Sequence, residues 1–187
     1  MLPNEKKIYT YRDYLAWEGE DKLEIIEGVP YLQASPGREH QRVSMNLSLL
    51  LGSYFRDRDC EVYAAPFDVL LLAPGESEED CTNVVQPDLL VVCDQTKLDE
   101  RGCKGSPDLV VEILSPSTAS IDYIKKMALY EKYGVKEYWI VSPKSRTVQI
   151  FALVDAHFNE PDTFALGETV SSRLFSALAF PVKEIFR

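Results

Sequence analysis

Gln86-Pro87-Asp88-Leu89-Leu90-Val91-Val92 and Ser106-Pro107-Asp108-Leu109-Val110-Val111-Glu112 decide how this chain is read. Each phrase passes from Pro-Asp into a short apolar run, so Leu89 to Cys93 and Leu109 to Leu114 are expected as buried strands. If the two pair antiparallel with Val92 opposite Val110, Asp88 faces Leu114 and Glu112 faces Leu90. Asp88 and Glu112 then share parity and sit diagonally on one face, close enough for two carboxylates to converge on one cation. An acid inside Val-Val-Glu-Ile-Leu is costly to bury without a partner. The plainer readings are a solvent-facing sheet edge or a structural salt bridge for Glu112, and a turn residue for Asp88. Asp108 lies at the far end of its strand from Glu112 and falls outside the core site.

The stretch that follows supplies a basic partner. A helix is expected from about Asp122 to Tyr133, stopping at Gly134, a natural left-handed end. Asp122, Lys126 and Tyr130 recur at i, i+4 and i+8 and so share a face. That spacing describes a surface ion-pair ladder, or a lysine held beside the carboxylates to steady a phosphate or a water. Lys125 points about 100° away and is the weaker candidate. Residues 120–150 carry six Lys/Arg against three Asp/Glu, a local excess that suits a polyanion or a solvated face.

Upstream, Thr10 and Asp13 resemble a capping box for a short helix over Tyr11 to Trp17. Lys22 to Gln33 reads as a hairpin turning at Glu27-Gly28. Glu24 and Glu27 point to opposite faces of an ideal strand, so only one joins a site easily. A helix from Arg38 to Phe55 follows from Val43, Leu47, Leu50, Leu51 and Tyr54, whose stripe needs a sheet to cover. His40 in its first turn either caps that stripe or touches a substrate. Glu61 to Ala65 and Phe67 to Leu72 are expected strands around Pro66, and the acidic run Pro74 to Asp80 is an exposed loop. Tyr138 to Val141 and Val148 to Leu153 make a hairpin, the tail from Asp155 to Glu168 is acidic and less clearly ordered, and Leu174 to Phe186 docks back on the domain. Strands surrounding two substantial helices indicate an α/β layer structure in one domain over residues 1–187.

The 187 residues carry 20 Lys and Arg against 30 Asp and Glu, a net charge of −10. This excludes binding nucleic acid through bulk positive charge, though not a local metal-assisted site. No apolar signal core follows Met1, and no run approaches the roughly 18 apolar residues of a spanning helix, so a cytoplasmic protein with no membrane partner is expected. Cys60, Cys81, Cys93 and Cys103 contain no C-x-x-C pair and are expected as buried or incidental thiols.

Several of these phrases, taken in order, resemble the Uma2 family of the PD-(D/E)xK restriction-endonuclease-like superfamily. They are Leu23-Glu24-Ile25-Ile26-Glu27-Gly28, His40-Gln41, Pro87-Asp88, and Pro107-Asp108-Leu109-Val110-Val111-Glu112-Ile113-Leu114-Ser115-Pro116-Ser117-Thr118. Asp122, Lys126, Tyr130, Gly134-Val135 and Glu137-Tyr138-Trp139-Ile140-Val141 continue the register. The resemblance covers residues 11–153 and implies a mixed sheet flanked by helices. It implies a metal-dependent endonuclease with Glu24, Asp88, Glu112 and Lys126 as catalytic core. Asp88, Glu112 and Glu24 would hold Mg²⁺, with Mn²⁺ as an alternative, and His40, Asp122 and Tyr130 would support them. DNA is the expected substrate, and a homodimer is compatible with an exposed sheet edge or the apolar carboxy-terminal segment. One departure matters: the superfamily's lysine two residues after the acid is Leu114 here, and Lys126 would replace it from the helix. That departure and the acidic charge leave a rival reading, a non-catalytic nucleic-acid-binding or protein-binding regulator on a nuclease-like scaffold.

Overall fold

The computed structural model describes residues 7–17, 23–33, 35–115 and 121–187. The hairpin's expected start at Lys22 and the phrase Pro116-Ser117-Thr118 lie outside them. In chain order the first half contains α1 (Tyr11–Leu15), β1 (Leu23–Ile26), β2 (Val29–Leu32), α2 (Arg38–Phe55), β3 (Glu61–Ala64), β4 (Asp68–Leu70), β5 (Val84–Val85) and β6 (Leu89–Val92). The second half contains β7 (Gly102–Lys104), β8 (Leu109–Ile113), α3 (Met127–Tyr133), β9 (Glu137–Ser142), β10 (Thr147–Val154), β11 (His157–Phe158), β12 (Asp162–Phe164), β13 (Thr169–Ser171), β14 (Ala179–Pro181) and α4 (Val182–Ile185).

The larger sheet runs β11-β10-β9-β8-β6-β3, with β12 also on β10; β8 and β9 are parallel and the remaining pairs antiparallel. A second sheet runs β2-β1-β5-β4-β7. Alternation along the central strands sorts their side chains. Leu89, Val91, Leu109, Val111 and Ile113 pack against Val43, Leu47, Leu51 and Phe55 of α2 and against Leu178, Val182 and Ile185 from the carboxy-terminal segment. Leu90, Val92 and Val110 face the other way, onto Leu129 and Tyr130 of α3 and Ile26, Val69, Leu71 and Val85 of the second sheet. Asp88 and Glu112 belong to this second face by parity. The fold is thus a mixed α/β sheet flanked by helices, as expected, with a second sheet added by β5 and β7, strands too short to announce themselves.

The pairing of β6 with β8 differs from expectation by two residues. Leu90, not Val92, lies opposite Val110, and Val91 lies opposite Leu109. Asp108 explains the shift: its backbone N–H bonds the Val91 carbonyl at 2.8 Å, and its carboxylate takes the Cys93 N–H at 2.7 Å, ending the ladder there. Continuing the observed register outward by one residue sets Asp88 directly across from Glu112 rather than diagonal to it. An even shift preserves the face, so Asp88 and Glu112 stay on the same side of the sheet.

Three further expectations are corrected. Ile121–Lys126 forms a π-helical turn, and only Met127–Tyr133 is α-helical, with Gly134 closing it at φ 79°. The acidic tail, less clearly ordered by its sequence, contains β11 and β12, both paired with the long β10. Cys60 and Cys93 are joined in a disulfide, leaving Cys81 and Cys103 as buried free thiols.

Gly102 has a backbone reason to be glycine. It pairs in parallel with Asp68, and a Cβ at this position would sit 2.2 Å from the Asp68 carbonyl oxygen. Gly102→Ala is expected to destabilise the fold by about 1–3 kcal/mol, because backbone and not a flexible side chain must move. A lowered midpoint of urea unfolding checks this.

Candidate active site

Four separated stretches deliver charge to one place. Glu24 arrives on β1, where all four residues are buried. Asp88 precedes β6 and Glu112 lies within β8. The π-helical turn carries Asp122 and Lys126, and α3 carries Tyr130. Lys126 Nζ lies 2.9 Å from Glu24 Oε1, 2.9 Å from Glu112 Oε1 and 3.9 Å from Asp122 Oδ1. Tyr130 donates its hydroxyl to Glu112 Oε1 at 2.7 Å. The side chains of Lys126, Glu24 and Glu112 are each 5% exposed. Tyr138, beside Tyr130, donates to the Asp122 carbonyl and ties the turn to the sheet.

Asp88 and His40 form the outer rim, with side chains 20% and 14% exposed. His40 Nε2 lies 3.2 Å from Asp88 Oδ2, and that same oxygen accepts the Ile113 N–H at 2.7 Å. His40 therefore does more than cap the core stripe. Burial opposes its imidazolium, but the bond to Asp88 and the charges of Asp88 and Asp122 outweigh that and raise its pKa.

The electrostatics of the inner cluster are lopsided. Burial pushes the Glu112 carboxyl well up; Lys126 pulls it down, and Asp122, Asp88 and Glu24 push it up again. Burial also works against the Lys126 ammonium, yet Glu112, Glu24 and Asp122 together hold its pKa above the usual lysine range. Glu24, Glu112 and Asp122 surround one buried ammonium, so acidic groups outnumber the base and a further positive charge, whether a proton or a cation, is favoured.

That charge excess and the hard oxygen donors suit a divalent cation such as Mg²⁺ or Mn²⁺. As arranged, Lys126 stands between Glu24 and Glu112, and among the described residues no group of three or more His, Cys, Asp or Glu is set to hold a metal ion. Asp88 and Glu112, cross-strand neighbours, are the pair whose donor chemistry fits best.

Sequence reasoning missed the bracket behind Glu24. The Gln86 N–H donates to Glu24 Oε1 at 2.7 Å. The Gln86 side-chain amide reaches Asp68 Oδ1 at 2.7 Å and the Tyr14 hydroxyl at 3.1 Å, while Tyr14 donates to Asp68 at 2.9 Å. The Asp68 carboxylate fixes which end of the amide faces it, since only the NH₂ can donate. Gln86 stands two residues before Asp88, so position in the phrase was the one available signal. Glu27 turns outward at φ 51° and its N–H bonds Asn83, which leaves Glu24 as the inward acid of the hairpin. Lys125 lies outside, its ammonium 5.2 Å from the Tyr31 ring centre. Asp108 is held by Lys136 at 2.6 Å and serves the strand end, not the cluster.

Comparison with known proteins points the same way. The family model Uma2, described as "Putative restriction endonuclease", matches residues 11–183. The chain is 29% identical to an uncharacterized protein of Synechocystis sp. over 182 residues, covering 94% of this chain and 90% of that one. A second uncharacterized protein of the same organism is 29% identical over 146 residues, 75% and 78% of the two chains. The crystal structure of a putative nuclease from Anabaena variabilis superposes with a TM-score of 0.75 at 21% identity, covering 95% of this chain and 97% of that one. At that identity the likeness concerns fold.

Proposed function

The chain belongs to the Uma2 family and has the nuclease-superfamily fold; from that premise we propose that it is a metal-dependent endonuclease hydrolysing nucleic-acid phosphodiesters, with DNA as substrate. The observation that carries the reading is the meeting of Glu24, Glu112 and Lys126 within 2.9 Å contacts, beside an Asp88 that continues the ladder opposite Glu112. Asp88 and Glu112 would hold Mg²⁺ or Mn²⁺, with Glu24 assisting. Such a cation supplies a Lewis acid at the phosphate and acidifies water.

The chain's own groups do the rest. Lys126, as a fixed ammonium, stabilises negative charge developing on the phosphate. Asp122 and Tyr130 hold Lys126 and Glu112 in place. His40, at the more exposed rim, orients Asp88 and would meet a phosphate oxygen. Among the described residues no helix is long and apolar enough to cross a membrane; a cytoplasmic site of action and a homodimer remain part of the proposal.

Purified protein should cut DNA with Mg²⁺ or Mn²⁺, stop with EDTA, and lose cutting in Asp88→Asn and Glu112→Gln with the fold preserved. Undiminished cutting in both variants sinks this site. The rival, a binding protein on the same scaffold, is favoured by the deep burial of the Lys126 cluster and by Leu114 at the superfamily's lysine position. Nucleic-acid retention without any metal-dependent cutting would select it.

A further inference from the structure

The β3–β6 ladder pairs Glu61 with Val92, so one residue further out Cys60 faces Cys93, and the disulfide closes that end of the ladder. At the opposite end the Ala65 N–H donates to the backbone carbonyl of Asp88 at 3.1 Å. β3 is the outermost strand of the larger sheet and only four residues long. It is therefore pinned to β6 at both ends, covalently at Cys93 and by a hydrogen bond at Asp88. The Cys93 N–H also holds Asp108, so the bridge lies where the β6–β8 ladder terminates.

The other two cysteines do not compete. Cys81 and Cys103 are fully buried, and burial pushes their thiols up to about 11 and about 12. Cys60 and Cys93 are only partly buried, packed at the margin of the core over α2.

We propose that Cys60–Cys93 is a thiol–disulfide exchange site, acted on by a dithiol reductant, whose state sets the order of β3 and through it the placement of Asp88. In the forward direction a thiolate of the dithiol attacks one sulfur, the S–S bond breaks, and the released cysteine thiolate takes a proton. The partner's second thiol then attacks the mixed disulfide and frees the other cysteine as a thiol. Two electrons and two protons pass to the cystine, and the dithiol leaves as a disulfide. In a thiol-rich compartment such a bridge is of the transient, sensing kind. Reduction leaves β3 held by a short edge ladder, which opens locally at small free-energy cost. The bearing on Asp88 as a catalytic residue rests on the nuclease reading; the bearing on strand order does not.

Full-length protein oxidised with glutathione disulfide should show two alkylatable thiols on denaturation, and four after dithiothreitol. Hydrogen exchange over residues 60–66 should then be at least about tenfold faster in the reduced form, with β9 and β10 unchanged. Cys60→Ser and Cys93→Ser should each show the fast pattern with or without reductant. Four free thiols after oxidation, or equal exchange in the two forms, overturns the exchange site. Where DNA cutting is measurable, reduction should slow it about threefold or more; altered exchange with unaltered cutting overturns the link through Asp88. Absence of cutting in both forms counts against the nuclease reading alone, because the exchange measurement still decides the site.

Discussion

Lys126→Met should unfold about 3–5 kcal/mol more easily than the wild type at pH 7, and most of that deficit should disappear as the pH falls towards about 5. The variant removes the ammonium that lies 2.9 Å from both Glu24 and Glu112 and keeps only an apolar stem of similar length. Buried carboxylates left without a counter-charge are far more costly than the lost bonds themselves. Burial and the neighbouring acids already raise Glu112 in the native protein, with Lys126 the one influence among its leading causes that lowers it. Without the lysine its folded-state pKa rises further above the unfolded value. An acid raised in the folded state gives stability that is complete below the unfolded pKa and is lost as pH climbs through the folded one. The deficit should therefore grow from acid to neutral pH. Lys125→Met, one residue away and exposed, should change stability by less than about 0.5 kcal/mol. Urea unfolding of both variants between those pH values decides the matter: a Lys126 deficit that ignores pH would mean that lost packing, not unpaired charge, dominates. In the proposed reaction the same variant should also lose cutting, whereas Glu112→Gln should lose cutting with little or no loss of stability, since it relieves repulsion and keeps an acceptor for Tyr130.

The contrast between those variants reflects what the amino-acid pattern could and could not convey. Face parity is robust: Asp88 and Glu112 keep the same face under any even slip, so their shared face was readable although the register was off by two. The register itself was decided by the Asp108 carboxylate capping the Cys93 amide, a side-chain event that apolar alternation does not encode. Lys126 was found through its i, i+4 relation to Asp122, and the contact exists at 3.9 Å, yet the π-helical turn that carries both left no periodic signal. The second sheet depends on β5 and β7, of two and three residues, below the length at which alternation can be recognised. Gln86 joins Glu24 through its backbone N–H, and no residue type advertises a main-chain donor. Cys60 and Cys93 are 33 residues apart and become neighbours only once β3 is aligned on β6.

Glu137→Ala should cost about 3–5 kcal/mol and release the carboxy-terminal segment, although Glu137 takes no part in the Lys126 cluster. Its side chain is fully buried on β9. Oε1 accepts the Trp139 indole N–H at 2.6 Å, and Oε2 accepts the Arg173 and Leu174 N–H groups at 2.7 and 2.8 Å. One carboxylate thus fixes the indole against the sheet and the chain that leads into β14 and α4. That segment supplies Leu178, Phe180, Val182, Ile185 and Phe186 to the core over α2, so loosening its anchor exposes apolar surface well beyond the lost bonds. The nearby Arg173–Asp162 ion pair, with side chains 64% and 35% exposed, is too well solvated to hold the segment in its place. Glu137→Gln should fall between wild type and alanine, because its amide keeps one accepting oxygen but turns an NH₂ towards an N–H donor. Hydrogen exchange over residues 169–187 tests the anchor directly. Faster exchange there, with β8 unchanged under native conditions, is the expected result. Uniform loss of protection across the sheet would instead make Glu137 a support of the whole core and not a tether for its last segment.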